Sequence, residues 1–290
     1  MQRRSLLLAA AVAAIALSAA PAMAQTDGST VSFDGVGFTF DPSIGVSANV
    51  TTVPGQKKTL QVPTGPDAPH VVFSLYGPRP TGGKVPPVGF TNSTVTVYRT
   101  ADLAGYDQIG AQVTALQQLL AERPDPATLM VPVPPASGPT TELPFLPVAE
   151  AGQVARAKVQ YVDMPGLSGV TYLTGFRQDV SPLTRNDLWY TFQGLSTDGS
   201  TYVSATFILT TDLLPKSYTP KQMNQIGKNA KSWNAYLTET VAKLNAADPS
   251  AFSPSLTSAD ALIASITLDG VPAEEPGPLA SPAPSASPAA

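Results

Sequence analysis

The chain has no cysteine and a single histidine, and only 13% of its 290 residues are charged. Each shortage excludes something. Without cysteine there is no disulfide scaffold, no thiolate-bound zinc or iron–sulfur cluster and no thiol nucleophile. One histidine cannot furnish a multi-histidine metal site. With 17 Lys and Arg against 21 Asp and Glu the balance is acidic, which argues against a nucleic-acid binder. No metal or cofactor signature is present, so none is expected. Stability has to come from buried apolar surface alone.

Proline is in excess, at 30 residues, about twice its usual share. Pro276, Pro278, Pro282, Pro284 and Pro288 stand among Ala and Ser after residue 272. That stretch holds too little apolar matter to offset chain entropy, so 273–290 is read as a disordered tail. Pro124, Pro126, Pro132, Pro134, Pro135, Pro139, Pro144 and Pro147 crowd a second segment. Their missing amide protons forbid a helix or a central strand and predict an extended strap over 124–147.

Met1 to Ala24 reads as a leader. Arg3 and Arg4 precede an uncharged run from Leu6 to Leu17, and Ala22-Met23-Ala24 is a small-x-small cleavage site. The apolar run is shorter than the roughly 20 residues a spanning helix needs. The Arg pair before Ser5-Leu6-Leu7 also resembles a twin-arginine signal, which leaves the export route open. Cleavage removes two arginines and no acid, leaving 15 Lys and Arg against 21 acids, a net charge of −6. The mature chain is expected in the periplasm or secreted, without a membrane span, as one domain over 25–272.

Periodicity gives the elements. Val31–Phe40, Val46–Val53, Val71–Tyr76 and Thr94–Tyr98 are short β-branched runs between Pro/Gly loops. A helix capped by Thr100 is expected next, with Leu103, Tyr106, Ile109, Val113, Leu116 and Leu120 on one face. Val154–Asp163, Gly169–Asp179, Leu188–Leu195 and Thr201–Thr210 then read as an antiparallel meander, closed by an Asp198-Gly199 turn. Thr219-Pro220-Lys221-Gln222 is a capping box opening a helix striped by Met223, Ile226, Ala230, Trp233, Leu237, Val241 and Leu244. Thr257-Ser258-Ala259-Asp260 opens a last helix bearing Leu262, Ile263 and Ile266. The expected class is α+β: an antiparallel sheet of about eight strands packed against about three helices, with a Pro-rich crossover.

Some of these residues resemble known groups. Leu143-Pro144-Phe145-Leu146-Pro147, the Gln153 to Asp163 strand, Ser168-Gly169-Val170 and the block Tyr190-Thr191-Phe192-Gln193-Gly194-Leu195 are similar to an uncharacterised family of exported bacterial proteins. That resemblance implies export and no particular activity. Gly37-Phe38-Thr39-Phe40-Asp41-Pro42 and the terminal Ala261–Ile266 helix resemble the PsbP/Mog1-like α/β/α sandwich. This second likeness implies a binding or assembly role rather than catalysis.

Catalytic constellations are thin. Gly166-Leu167-Ser168-Gly169 lacks the spacing and the strand-to-helix setting of a hydrolase elbow. His70, between Pro69 and Val71, is the one imidazole available to a triad. Asp163 and Asp179 end adjacent strands and Asp187 begins the next, so a carboxylate pair suited to an extracytoplasmic hydrolase is the alternative expectation. Thr197-Asp198-Gly199-Ser200 holds one carboxylate, too few for calcium, and Gly82-Gly83-Lys84 lacks a phosphate loop's spacing.

The richest feature is a polar, aromatic sheet face. If the last hairpin registers around Asp198-Gly199, Trp189, Thr191, Gln193, Tyr202, Ser204 and Thr206 share one side, and Arg156 and Lys158 extend it. Flat aromatics with hydroxyls and amides suit an envelope protein or a glycan. The competing expectation is that a helix covers this face. The leading function is therefore a non-catalytic binding or structural module of the cell envelope.

Overall fold

The computed structural model describes residues 28–56, 67–77, 92–130 and 142–269. The leader, the tail and residues 131–141 of the strap lie outside them. The chain opens with a hairpin of β1 (Ser29–Phe33) and β2 (Val36–Phe40), turned at Asp34-Gly35 with both φ angles positive. β3 (Ser47–Val53), β4 (His70–Tyr76) and β5 (Ser93–Arg99) follow, then α1 (Asp107–Glu122) and the short α2 (Pro126–Leu129). The meander is β6 (Gly152–Met164), β7 (Leu167–Arg177), β8 (Leu188–Ser196) and β9 (Thr201–Thr211). Helices α3 (Pro220–Ile226) and α4 (Ala230–Ala246), β10 (Phe252–Ser253), α5 (Leu256–Ala264) and β11 (Thr267–Leu268) complete it.

The large sheet runs β3-β4-β5-β9-β8-β7-β6, antiparallel throughout, with β10 paired to the end of β9. A smaller sheet, β1-β2-β11, joins the start of the described chain to its end. The fold is therefore α+β, with eight strands in the main sheet, three in the second, and five α-helices among the described residues.

Strand alternation sends side chains to two covers. Tyr190, Phe192, Val203, Ala205 and Phe207 pack with Phe38 and Phe73 and with the inner faces of α4 and α5, including Val241, Leu244, Leu262 and Ile263. On the other side Tyr98, Val170, Tyr172 and Tyr202 pack against α1, through Ile109, Val113 and Leu116, and against Leu143, Phe145 and Leu146 of the strap. The central strands β5, β9, β8 and β7 are thus buried on both faces, while the edge strand β3 has no buried residue.

Four local expectations change. The first helix starts at Asp107, because Gly105 at φ 86° separates it from a 3₁₀ turn over Thr100–Leu103. The proline-rich strap does contain a helical turn, α2; Pro126 sits at its first position, where no amide is needed, and Asp125 caps it. The stripe from Met223 to Leu244 is two helices broken at Gly227, with α4 capped afresh by Asn229. Ile266 lies past α5, ahead of a strand too short for periodicity to reveal.

Candidate functional site

The β8–β9 hairpin has the expected register: Trp189, Thr191 and Gln193 face the same side as Tyr202, Ser204 and Thr206. That side is not a surface. Thr191, Gln193 and Tyr202 are wholly buried, and Ser204, Arg156 and Thr206 are nearly so, at 1%, 6% and 8% exposure. Trp189 is half-buried, its ring 5.6 Å from Phe145 and 5.3 Å from Phe176. The expectation of an open binding face is corrected here, because α1 and the strap lie on it.

The polar residues hold that strap down. Leu143 N–H donates to Gln153 Oε1 (3.1 Å), Phe145 N–H to Gln112 Oε1 (2.9 Å) and Leu146 N–H to Gln193 Oε1 (3.0 Å). Pro144 and Pro147 have no amide hydrogen, so every N–H from Leu143 to Pro147 is bonded. The Pro144 carbonyl accepts from Tyr172 (2.6 Å) and the Leu146 carbonyl from Ser204 Oγ (2.5 Å). Gln193 uses its full capacity: Oε1 also accepts from Tyr202 (2.7 Å), while Nε2 donates to Thr191 Oγ1 (2.7 Å) and Ser204 Oγ (2.9 Å). Burial pushes the Tyr172 and Tyr202 hydroxyls far above the usual tyrosine range, so both remain donors.

Arg156 and Lys158 part company. Arg156 stands opposite Thr174 on the strap-covered side; burial pulls its pKa down, and nearby Tyr172 and Glu142 oppose that. Lys158 falls in a register shift between Ala157 and Gln160, with φ +50°. The bulge turns it toward α4. Its N–H donates to Asn245 Oδ1 (2.6 Å), and its ammonium donates to the carbonyls of Asn245 (3.2 Å) and Ala247 (2.7 Å). A cation at a helix C-terminus complements the macrodipole. Strict alternation could not reveal this bulge.

The three acids do not converge. Consecutive antiparallel strands finish at opposite ends of a sheet, so Asp163, paired with Ser168, is remote from Asp179 and Asp187 beyond the far end of β7. Asp163 takes two hydrogen bonds from Arg123, which hold its carboxyl below the usual range. Burial raises the Asp187 pKa, but bonds from the Thr184 hydroxyl and amide, and from Arg177, bring it below normal. Asp179 bonds Ser181 (2.5 Å) in a local turn. Among the described residues no three of His, Asp and Glu come together as metal ligands would.

His70 is buried, its Nδ1 2.7 Å from the Ala68 carbonyl and 3.4 Å from Asp67 Oδ1. No hydroxyl bonds it among the described residues. Its ring lies 4.9 Å from that of Tyr98, whose hydroxyl has no partner there; burial, then Asp67, raises the Tyr98 pKa. Beside it opens a shallow cleft of about 140 Å³ between the β1–β2 turn and the ends of β3 to β5, lined by Phe33, Val36, Val53, Val97, Arg99 and Asp102.

Beyond that cleft lies the outer edge of β3. The strand pairs with β4 in unbroken register, and nothing among the described residues pairs with its other side. Sequence-based reading missed it, because an edge is a property of strand order. No family, curated protein or solved structure matches the chain.

Proposed function

We propose that the chain is an exported, non-catalytic binding module of the cell envelope that receives a polypeptide partner by strand addition at β3. The leader-like first 24 residues and the resemblance of the central block to exported bacterial proteins support the compartment. No membrane-crossing helix occurs among the described residues.

The observation that carries the binding role is the chemistry of the edge. Natural sheets blunt free edges with lysine, proline or bulges. The opposite edge strand, β6, has two register shifts and two cations, Arg156 and Lys158. Over Ser47–Val53, β3 has no charge, no proline and no shift. The Thr100 N–H donates to the Ser200 carbonyl (2.9 Å). Two-residue alternation carried from that bond across β9, β5 and β4 pairs Ser47, Asn49, Thr51 and Val53 with β4 and directs the N–H and C=O groups of Ala48, Val50 and Thr52 outward. Such a ladder recognises an extended peptide rather than a glycan.

Photo-crosslinking in the exporting cell tests this with the full chain. A crosslinking residue at Thr51 should give a defined adduct that Asn49→Lys abolishes, while the same residue at exposed Thr238 on α4 gives none. Equal adducts from both positions, or an adduct indifferent to Asn49→Lys, would refute strand addition.

A further inference from the structure

From Leu213 to Thr238 the chain carries Lys216, Lys221, Lys228 and Lys231 and no acid, although its overall charge is −4. All four lysines are exposed and enter no ion pair among the described residues. The acid just before the segment, Asp212, is already paired with Arg185. Between these lysines sits α3, which buries none of its seven residues. Met223 within it is 42% exposed, and Val180, beside Gly227 at its end, is 47% exposed.

A helix that buries nothing gains little from the core, and seven residues are too few to be helical alone. The capping box of Thr219 and Gln222 nevertheless defines it, with Pro220 at its first position. The lysines also break a local rule. Lys221 and Lys231 each stand second in a helix, where the macrodipole favours acids, and neither first turn holds one. Where a local preference is violated without local compensation, function is the expected reason.

We infer that this segment docks on an anionic lipid bilayer. Four exposed ammonium groups in one acid-free segment match the charge of lipid phosphates, and the exposed Met223 and Val180 supply the apolar contact of an interfacial segment. A soluble polyanion makes no use of that apolar pair. The inference stands independently of the β3 edge.

Vesicle flotation of the full chain tests it. Vesicles of equal parts phosphatidylglycerol and phosphatidylcholine should carry the protein at low salt, and phosphatidylcholine alone should not. Salt at about 0.5 M, where screening acts within a few ångström, should release it. Each lysine near an anionic surface is worth about fivefold, so K216Q/K221Q/K228Q/K231Q should lose binding by about a hundredfold or more with an unchanged circular dichroism spectrum. Met223→Ser with Val180→Ser should weaken vesicle binding while leaving retention on a heparin column intact. Equal flotation with both vesicle types, a quadruple variant that floats like the parent, or vesicle binding indifferent to the apolar substitutions would overturn the inference.

Discussion

Replacing Gln193 by Leu tests most sharply whether the polar sheet face serves the strap. Leucine has nearly the same volume, so little cavity forms. What is lost is the acceptor of two buried donors, Leu146 N–H at 3.0 Å and the Tyr202 hydroxyl at 2.7 Å. Each stranded donor costs about 1–3 kcal/mol, so the variant should lose roughly 2–6 kcal/mol of a total that for such proteins is about 5–15. Tyr202→Phe alone removes one donor and leaves Oε1 bonded to Leu146; it should cost only about 1 kcal/mol. The double variant then strands one donor instead of two, so adding Tyr202→Phe to Gln193→Leu should restore stability. Urea unfolding followed by tryptophan fluorescence reads this as a midpoint shift at constant slope, with Trp189 beside Phe145 as a local reporter. A loss under about 0.5 kcal/mol, the scale of a surface substitution, would refute the reasoning. Strict additivity in the double variant would refute it equally.

Two glycines should respond in opposite directions. In α1 nothing lies within 4 Å of a side chain added at Gly110, so Gly110→Ala should stabilise by up to about 1 kcal/mol in thermal or urea unfolding. At Gly169 an added Cβ would stand 2.4 Å from the Phe192 ring and 2.5 Å from the Gln193 carbonyl; Gly169→Ala should cost about 1–3 kcal/mol or more. Lys158→Met should lose about 1–2 kcal/mol with the two carbonyl bonds at the end of α4. Lys158→Gly loses the same bonds but relaxes the φ of +50°, so it should unfold at higher urea than Lys158→Ala. Asp163 has a depressed folded pKa, held by Arg123. Its contribution is present above the unfolded carboxylate range, near ~4, and is lost as pH falls through the folded value. The stability gap between parent and Asp163→Asn should therefore close between neutral pH and strong acid. With the pair 30% and 35% exposed, the gap at neutral pH should stay within about 1 kcal/mol.

The four meander strands were readable because each is long and alternating, and the Asp198-Gly199 turn fixes their register. The Thr219 capping box was readable because its signal is local and chemical. Features set by distant pairing were not. The strap partner of Gln193, Leu146, lies 47 positions away, so the sequence shows glutamine, tyrosine and serine on one side of a hairpin without showing what lies above them. A buried amide accepting from a proline-rich segment and a solvated amide look alike in one dimension. Lys158 was misassigned because a bulge inverts alternation at one residue. Asp163 was grouped with Asp179 and Asp187 by overlooking that successive antiparallel strands finish at opposite ends of the sheet.

Amide hydrogen exchange at Leu146 tests most directly whether the strap belongs to the core or merely rests on it. Bonded to Gln193, with its side chain wholly buried, this amide should exchange only through global opening, as slowly as the central strand amides of β8 and β9. Exchange at the rate of an exposed loop, while those strands stay protected, would mean that the strap lifts away and that Thr191, Gln193, Tyr202 and Ser204 are an accessible surface after all.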